Sequence, residues 1–219
     1  MRASDWMRFF LCALASTAAG CAAGPKVSDR PSSFLAMRYE STVPQKEEFT
    51  CGAASIASIL TYYWQTPTSE ASVLDTLKSR YTEAQVHHIS ETGLSFDDLI
   101  YMTQKLGFSA EGATVALDQL PNLAGPVIVH LDKGNFKHFI VLRKVGDHVY
   151  YVSDPVVGQL TMHADEFEAQ YTGHALAVWK SSADLPTNAK LVNPRDGIRV
   201  SDSLRRQINV PYPPFSPGF

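Results

Sequence analysis

The segment that follows Cys51 has the spacing of a helix. Small and apolar residues recur there at intervals of three and four positions as far as the sequence YYW, and Pro67 ends the segment. Two further helices are predicted over the sequences TSEASVLDTLKSRY and SFDDLIYMTQKLG. In the second of them, Ser95 and Asp98 form a capping box and Gly107 ends the helix.

The second half of the chain changes to short β-rich runs separated by turn residues. These runs are PVIVHL, HFIVLRK, HVYYVSD, GQLTM and ALAVWK, with ADEFEAQY as a short helix among them. Helices followed by antiparallel strands predict an α+β fold. The helix that begins at Cys51 would then pack on the sheet, with a cleft between the two parts.

The runs on either side of Gly146 and Asp147 predict a β-hairpin that brings His138 close to Asp154. A loop of Gly146 and Asp147 alone would place His138 opposite Pro155, one residue from Asp154. A three-residue loop that also includes the preceding valine would place His138 directly opposite Asp154, where the Cβ atoms would lie about 4.5 to 5.5 Å apart. An imidazole and a carboxylate at that separation can form a hydrogen bond. The alternative is that Asp154 and Pro155 only begin a turn.

The two ends of the chain differ from its middle. Residues 1–20 have a weakly positive start, a run of ten apolar residues and small residues before Cys21, which predicts a signal peptide of the lipoprotein type. Cys21 would carry the lipid, residues 21–39 would form a linker, and the mature protein would lie in the periplasm at the outer membrane. The alternative is ordinary signal-peptide cleavage with Cys21 unmodified. Residues 181–219 contain six prolines and are predicted to be an extension beyond the core of residues 40–180.

Composition and cysteine usage narrow the chemistry. With 219 residues, 45% of them hydrophobic, and a formal net charge of −3, the chain can form one globular core and has no electrostatic feature that indicates nucleic acid. Of its three cysteines, Cys12 would leave with the signal peptide and Cys21 would be lipidated, so Cys51 would have no disulfide partner.

Cys51 is either a packing residue or a nucleophile. At the first turn of a helix, the free backbone N–H groups and the helix dipole favour a thiolate. Gly52 and Ala53 add no bulk beside the sulfur, which would leave room for a substrate backbone. The alternative is a buried cysteine that packs at the start of a core helix, because free cysteine is among the most often buried residues.

A thiolate nucleophile needs a base, and seven histidines are available. His87 and His88 lie in the polar stretch EAQVHHISE, which is predicted to be a solvated loop without the spacing of a metal site. Four others lie within or beside apolar segments without a matching acid: His130, His148, His163 and His174. His138, with Asp154 near it, is the candidate base, and neither a metal nor a cofactor is expected.

Two blocks of the sequence, PQKEEFTCGAAS and HFIVLRKVGDHVYYVSDPVVG, together resemble the bacteriocin-processing cysteine peptidases. These are papain-like domains that remove leader peptides after a double glycine, and the resemblance covers about residues 40 to 180. It implies that Cys51 is the nucleophile, His138 the general base and acid, and Asp154 the residue that orients His138. Gln45 would complete the oxyanion hole with the backbone N–H of Cys51. The family usually has an acidic residue before its cysteine, where this chain has Thr50.

The resemblance implies an exported cysteine peptidase that cuts at or near small residues, after Gly-Gly, in a leader peptide or a secreted amyloid subunit. No Walker motif is present, so the chain is more similar to stand-alone periplasmic relatives, some of which accompany functional-amyloid export, than to exporter-fused ones. Components of a secretion system are expected partners. Two alternatives stay open: a thiol acyltransferase with the same chemistry, and a catalytically idle peptide-binding module.

Overall fold

A computed structural model describes residues 33–134 and 136–180 of the chain. The predicted signal peptide, Cys21 and the proline-rich extension therefore lie outside the described residues. The helices are α1 (Phe34–Arg38), α2 (Cys51–Ser58), α3 (Glu70–Asp75), α4 (Glu83–Thr92), α5 (Phe96–Lys105) and α6 (Ala164–Gln170). The strands are β1 (Ser109–Thr114), β2 (Val127–Asp132), β3 (Lys137–Gly146), β4 (Val149–Asp154), β5 (Gly158–His163) and β6 (Tyr171–Trp179).

The strands form one six-stranded antiparallel sheet in the order β1-β6-β2-β3-β4-β5. Helices α2 and α5 pack with one face of the sheet in a first hydrophobic core. A second core contains Phe167 of α6, which stacks on Tyr150 with ring centroids 3.9 Å apart. The α+β class predicted from the order of helical and β-rich segments is confirmed. None of the described helices combines the length and the apolar character needed to cross a bilayer.

Helix α2 is the central helix of the first core, and all of its residues are buried. It continues into a π-helical turn at Ile59–Tyr63 before the chain leaves the core. A Cβ atom on Gly52 would lie 2.7 Å from Cδ1 of Leu99 and 3.3 Å from the Phe139 ring. Gly52 is therefore needed for close packing of α2 against α5 and β3. This packing accounts for the lack of bulk at this position, and room for a substrate backbone beside the sulfur stays a prediction.

Local capping signals set the ends of the helices. Ser95 accepts a hydrogen bond from the N–H of Asp98 and Asp98 bonds back to Ser95, so the predicted capping box at the start of α5 is confirmed. The predicted loop around His87 and His88 is wrong, because these residues lie in α4. A second capping box formed by Thr82 and Gln85 begins that helix, and its polar residues face solvent.

The β3–β4 hairpin forms, but its turn differs from both predicted loops. Gly146 pairs with Val149, so Asp147 and His148 form the turn, and His148 has a φ of 55°. A Cβ atom on Gly146 would lie 2.9 Å from the Tyr151 ring. Glycine is thus required at position 146 by a contact within the strand pair, although the sequence pattern favoured it as a turn residue.

The register of the hairpin also differs from the prediction. After an irregularity in β3, Val141 pairs with Ser153, and continuing that ladder places Ile140 opposite Asp154. His138 and Asp154 are therefore diagonal neighbours on the same face. Diagonal Cα atoms lie about 7 to 8 Å apart, which is within reach of two polar side chains of this size. Both predicted registers are wrong, but the predicted proximity of the two residues is found.

Two elements have no counterpart among the predictions. Helix α1 lies within the segment predicted to be a linker, and the hydroxyl of Tyr39 behind it donates to the carbonyl of Val156. Strand β1 pairs with β6 at the edge of the sheet, and most of its residues are exposed. Its sequence SAEGAT has one β-branched residue, Thr114, and no alternation of apolar and polar residues, so pairing with β6 decides its conformation.

Candidate active site

The ends of three elements meet at one place in the fold. Cys51 is the first residue of α2, His138 is the second residue of β3, and Asp154 is the last residue of β4. Their exposed fractions are 7%, 2% and 2%. The structure thus brings together the three residues that sequence reasoning proposed as a triad, in a setting where bulk water competes little for their hydrogen bonds.

His138 and Asp154 form a buried hydrogen-bonded pair. Nε2 of His138 lies 2.8 Å from Oδ1 of Asp154. Burial by itself lowers the pKa of His138, but the charge of Asp154 and the hydrogen bonds to Asp154 and Cys51 outweigh burial and raise the pKa to about 9. An imidazolium is therefore favoured at neutral pH.

Asp154 is held in its ionised form by several neighbours. Burial opposes ionisation, but the charge and hydrogen bond of His138, the charge of Lys133 and the N–H of Val156 hold the pKa of Asp154 below its ordinary value. The Val156 N–H donates to Oδ1 at 2.8 Å, and Nζ of Lys133 lies 3.8 Å from Oδ2. Sequence reasoning did not identify Lys133, because nothing near it in the β2–β3 turn indicates contact with Asp154.

The thiol of Cys51 lies beside His138, close enough to contribute to the raised pKa of that imidazole. Since Nε2 of His138 bonds to Asp154, Nδ1 is the ring nitrogen left for the sulfur. Cys51 is a free cysteine at the N-terminus of an eight-residue helix, where the free N–H groups favour a negative charge. The predicted position of Cys51 in the first turn is confirmed, and a thiolate there would face an imidazolium.

Gln45 lies in the loop of residues 45–50 that leads into α2, called here the Gln45 loop. Its backbone N–H donates to the carbonyl of Pro155 at 3.1 Å, which ties the loop to the turn after Asp154. Its side-chain Nε2 donates to the carbonyls of Glu47 at 3.0 Å and Glu48 at 3.4 Å, and its Oε1 is buried without a partner. To stabilise an oxyanion, the amide must exchange the longer of these bonds for the substrate oxygen. The oxyanion role of Gln45 stays a prediction.

Gln45→Ala is expected to slow peptide turnover by roughly 100- to 1000-fold, the range seen when one oxyanion donor is lost. Folding should be retained, because the backbone bond to Pro155 does not depend on the side chain. Steady-state kinetics and thermal unfolding would measure the two effects. Gln104→Ala, the same change at an exposed position in α5, is the control. Turnover near the wild-type rate would show that Gln45 is only a structural residue of the loop.

The remaining histidines fit structural roles. His130 is half-buried, with Nδ1 3.0 Å from Oγ1 of Thr172, and His174 lies 3.3 Å from the same hydroxyl. Burial has the largest effect in lowering the pKa of His130, and the charges of Lys137 and His174 lower it further. In the described part of the chain, no group of three or more His, Cys, Asp or Glu side chains is arranged to hold a metal ion.

The geometry can be compared with known proteins. Residues 39–183 match the model of the peptidase C39 family. The chain belongs to the peptidase C39 family of cysteine peptidases. The family predicted from the blocks around Cys51 and His138 is thus confirmed, and the match spans helices α2 to α6 and the whole sheet.

Two similar relatives are described as "Probable functional amyloid protease FapD". The protein from Pseudomonas aeruginosa is 30% identical over 155 residues, which are 71% of this chain and 67% of that protein. The protein from Pseudomonas fluorescens is 29% identical over the same shares. A third relative, the "Probable microcin-H47 secretion/processing ATP-binding protein MchF" of Escherichia coli, is 29% identical, and the match covers 81% of this chain but 23% of that protein.

Among solved structures, the peptidase domain of ComA from Streptococcus has the same fold. It superposes with a TM-score of 0.55 at 23% identity and covers 64% of this chain and 98% of that domain. At this level of identity the likeness concerns the fold alone. It confirms that the helices followed by an antiparallel sheet form a papain-like C39 domain.

Proposed function

We propose that this C39 peptidase is exported and hydrolyses a secreted or leader-bearing polypeptide at or near small residues, after Gly-Gly. One observation carries the catalytic part of the proposal: the buried pair of His138 and Asp154, with the Cys51 thiol beside the same imidazole. A buried imidazole with a carboxylate on one nitrogen and a thiol on the other can form an ion pair with the sulfur and move a proton to and from it.

The reaction would proceed in two stages. The Cys51 thiolate attacks the scissile carbonyl carbon, and the oxyanion receives hydrogen bonds from the Cys51 N–H and the Gln45 amide. The His138 imidazolium then protonates the leaving amine, which breaks the peptide bond and leaves a thioester on Cys51. A water molecule attacks the thioester as the neutral imidazole takes its proton, and the product acid leaves with the thiol restored.

The substrate class is supported by the relatives. Two relatives that match this chain over 67% of their own length are described as probable functional amyloid proteases, and MchF is described as a secretion and processing protein. A secreted amyloid subunit or a Gly-Gly leader is therefore the proposed substrate, and components of a secretion system are the proposed partners.

A reporter peptide with an internal Gly-Gly, incubated with the full chain with and without an added amine, tests this function. Mass spectrometry should find the free acid released after the second glycine, in the presence or absence of the amine. A predominant amide product formed with the amine would favour the thiol acyltransferase. Peptide that binds but stays intact would favour the idle binding module.

We propose further that Cys21 is lipidated and holds the protein at the periplasmic face of the outer membrane. Cys21→Ser is expected to move the protein from the membrane fraction to the soluble fraction, because none of the described helices is long and apolar enough to anchor it. Immunoblotting of fractionated cells would measure the change, and Cys51→Ser is the matched control that should stay with the membrane. Unchanged membrane association of Cys21→Ser would contradict lipid anchoring.

A further inference from the structure

A buried carboxylate lies beneath the Gln45 loop and belongs to none of the residues assigned so far. Glu70, the first residue of α3, is 3% exposed. Its Oε1 accepts hydrogen bonds from the backbone N–H of Lys46 at 3.0 Å and from the hydroxyl of Thr50 at 2.5 Å. Burial of a carboxylate is costly unless it is hydrogen-bonded, and both of these bonds come from the loop.

The bond to Thr50 connects Glu70 to the start of α2. Thr50 is the N-cap residue of α2, but its side chain makes no capping hydrogen bond to that helix. Its hydroxyl instead lies 2.8 Å from the carbonyl of Glu47 and 2.5 Å from Oε1 of Glu70. The residue immediately before the nucleophile is thus fixed to α3 through its side chain, and its peptide bond carries the Cys51 N–H.

The same network reaches the other candidate oxyanion donor. The backbone N–H of Glu47 donates to the Thr50 hydroxyl at 3.3 Å, and the carbonyl of Glu47 accepts from Nε2 of Gln45 at 3.0 Å. Glu70, Thr50, Glu47 and Gln45 therefore form one continuous chain of hydrogen bonds. Its Gln45 end carries the side-chain amide, and Thr50 within it carries the peptide bond of the N–H that begins α2.

We propose that Glu70 is a positioning residue that holds the Gln45 loop, and with it both donors of the oxyanion hole, in the arrangement needed for acyl transfer. This inference rests on the proposed peptidase function. Glu70 acts through hydrogen-bond geometry and does not touch the thiol, so it should affect the steps that need an oxyanion hole and leave other reactions of Cys51 unchanged.

The test compares Glu70→Met with Glu70→Gln. Methionine has a similar size but cannot accept the two loop bonds, whereas the glutamine Oε1 can. Glu70→Met is expected to lower kcat on the Gly-Gly reporter by roughly 10- to 100-fold, below the loss of a whole oxyanion donor, with KM changed less than about threefold. Glu70→Gln should restore most of kcat. Thr50→Val removes the hydroxyl that bonds to Glu70 and should also lower kcat. If Glu70→Met does not fold, the result for Thr50→Val tests the positioning role in its place.

Alkylation of Cys51 by iodoacetamide distinguishes positioning from general damage, because displacement of iodide forms no oxyanion. The alkylation rate of Glu70→Met should match that of the wild type. Asp98→Leu is the matched control: Asp98 is also 3% exposed in the first turn of a helix, but its partners are Tyr81 and Ser95. This control should lower the melting temperature and leave kcat unchanged.

The outcomes separate this inference from the proposed function. Wild-type kcat in Glu70→Met and Thr50→Val, an equal loss in Glu70→Gln, or alkylation that falls in parallel with kcat would overturn the positioning role. If the wild type itself cleaves no reporter, the peptidase function fails. The positioning role is then tested by the affinity of a peptide aldehyde that ends in Gly-Gly. When the Cys51 sulfur adds to the aldehyde carbon, the aldehyde oxygen occupies the oxyanion hole. The affinity of this aldehyde should fall roughly 10- to 100-fold in Glu70→Met if the inference is right.

Discussion

Replacement of Cys51 with alanine is expected to abolish cleavage of the Gly-Gly reporter while peptide binding persists. Cys51 is a free cysteine at the site, and its thiol faces His138, so no other described side chain there can form the thioester. Removal of a catalytic nucleophile costs on the order of a million-fold in kcat. Binding should remain because the change removes only one sulfur atom, and alanine fits the buried position at the start of α2.

Two measurements on the same preparation check this expectation. Mass spectrometry over a long incubation detects residual product, and fluorescence polarisation of a labelled peptide measures the dissociation constant. Cleavage by Cys51→Ala at a rate near that of the wild type would rule out Cys51 as the nucleophile. Loss of binding with the fold intact would show that the sulfur is part of the peptide-binding surface.

His138→Ala is expected to lower turnover by roughly 10²- to 10⁴-fold, the range for loss of a general acid and base. It should also slow iodoacetamide labelling of Cys51 near neutral pH. The pKa of His138 is raised to about 9, so the imidazolium persists through neutral pH and can stabilise a thiolate beside it. A full charge in contact with the sulfur exceeds the half charge of the helix dipole that would remain in the variant.

The stability of the protein should also depend on pH, because the fold raises the pKa of His138. Because the folded state raises the pKa of His138 from 6.5 to about 9, its contribution to the free energy of unfolding is fully present below pH 6.5 and is lost as pH rises through about 9. Wild-type stability should therefore decline over that interval more steeply than the stability of His138→Ala. Labelling rates and chemical denaturation from pH 6 to 10 test both points, with the exposed His88→Ala as control. Equal labelling of wild type and His138→Ala at every pH would remove His138 from the mechanism.

The capping signal at the start of α5 could be recognised in the sequence because it depends on residues close together in the chain. This signal is the box of Ser95 and Asp98. The error at α4 arose where the same kind of signal was present: Thr82 and Gln85 form a capping box, but the polar residues after them were taken for a loop. Polar composition indicates exposure, and an exposed segment can still be helical.

Some residues of the candidate site could be predicted from the sequence and others could not. Cys51, His138 and Asp154 could be proposed from the sequence because a helix start and a hairpin constrain where such residues lie. Lys133 and Glu70 could not, because each contacts a partner far from it in the chain, Asp154 or Thr50, and no motif marks either contact. Contacts of this kind depend on how elements pack, and a single sequence contains no local record of them.

The sequence by itself determined the order of helices and strands, the α+β class, the family and the proximity of His138 to Asp154. Turn residues and alternating apolar positions act over a few residues, so they can be recognised without the fold. The tertiary structure decided the register of β3 and β4, the burial that shapes the pKa values of His138 and Asp154, and the anchoring of the Gln45 loop by Glu70. These features depend on packing between segments that are distant in the chain. A shift of the strand register by one residue, or the loss of one buried carboxylate, would change which side chains are in contact.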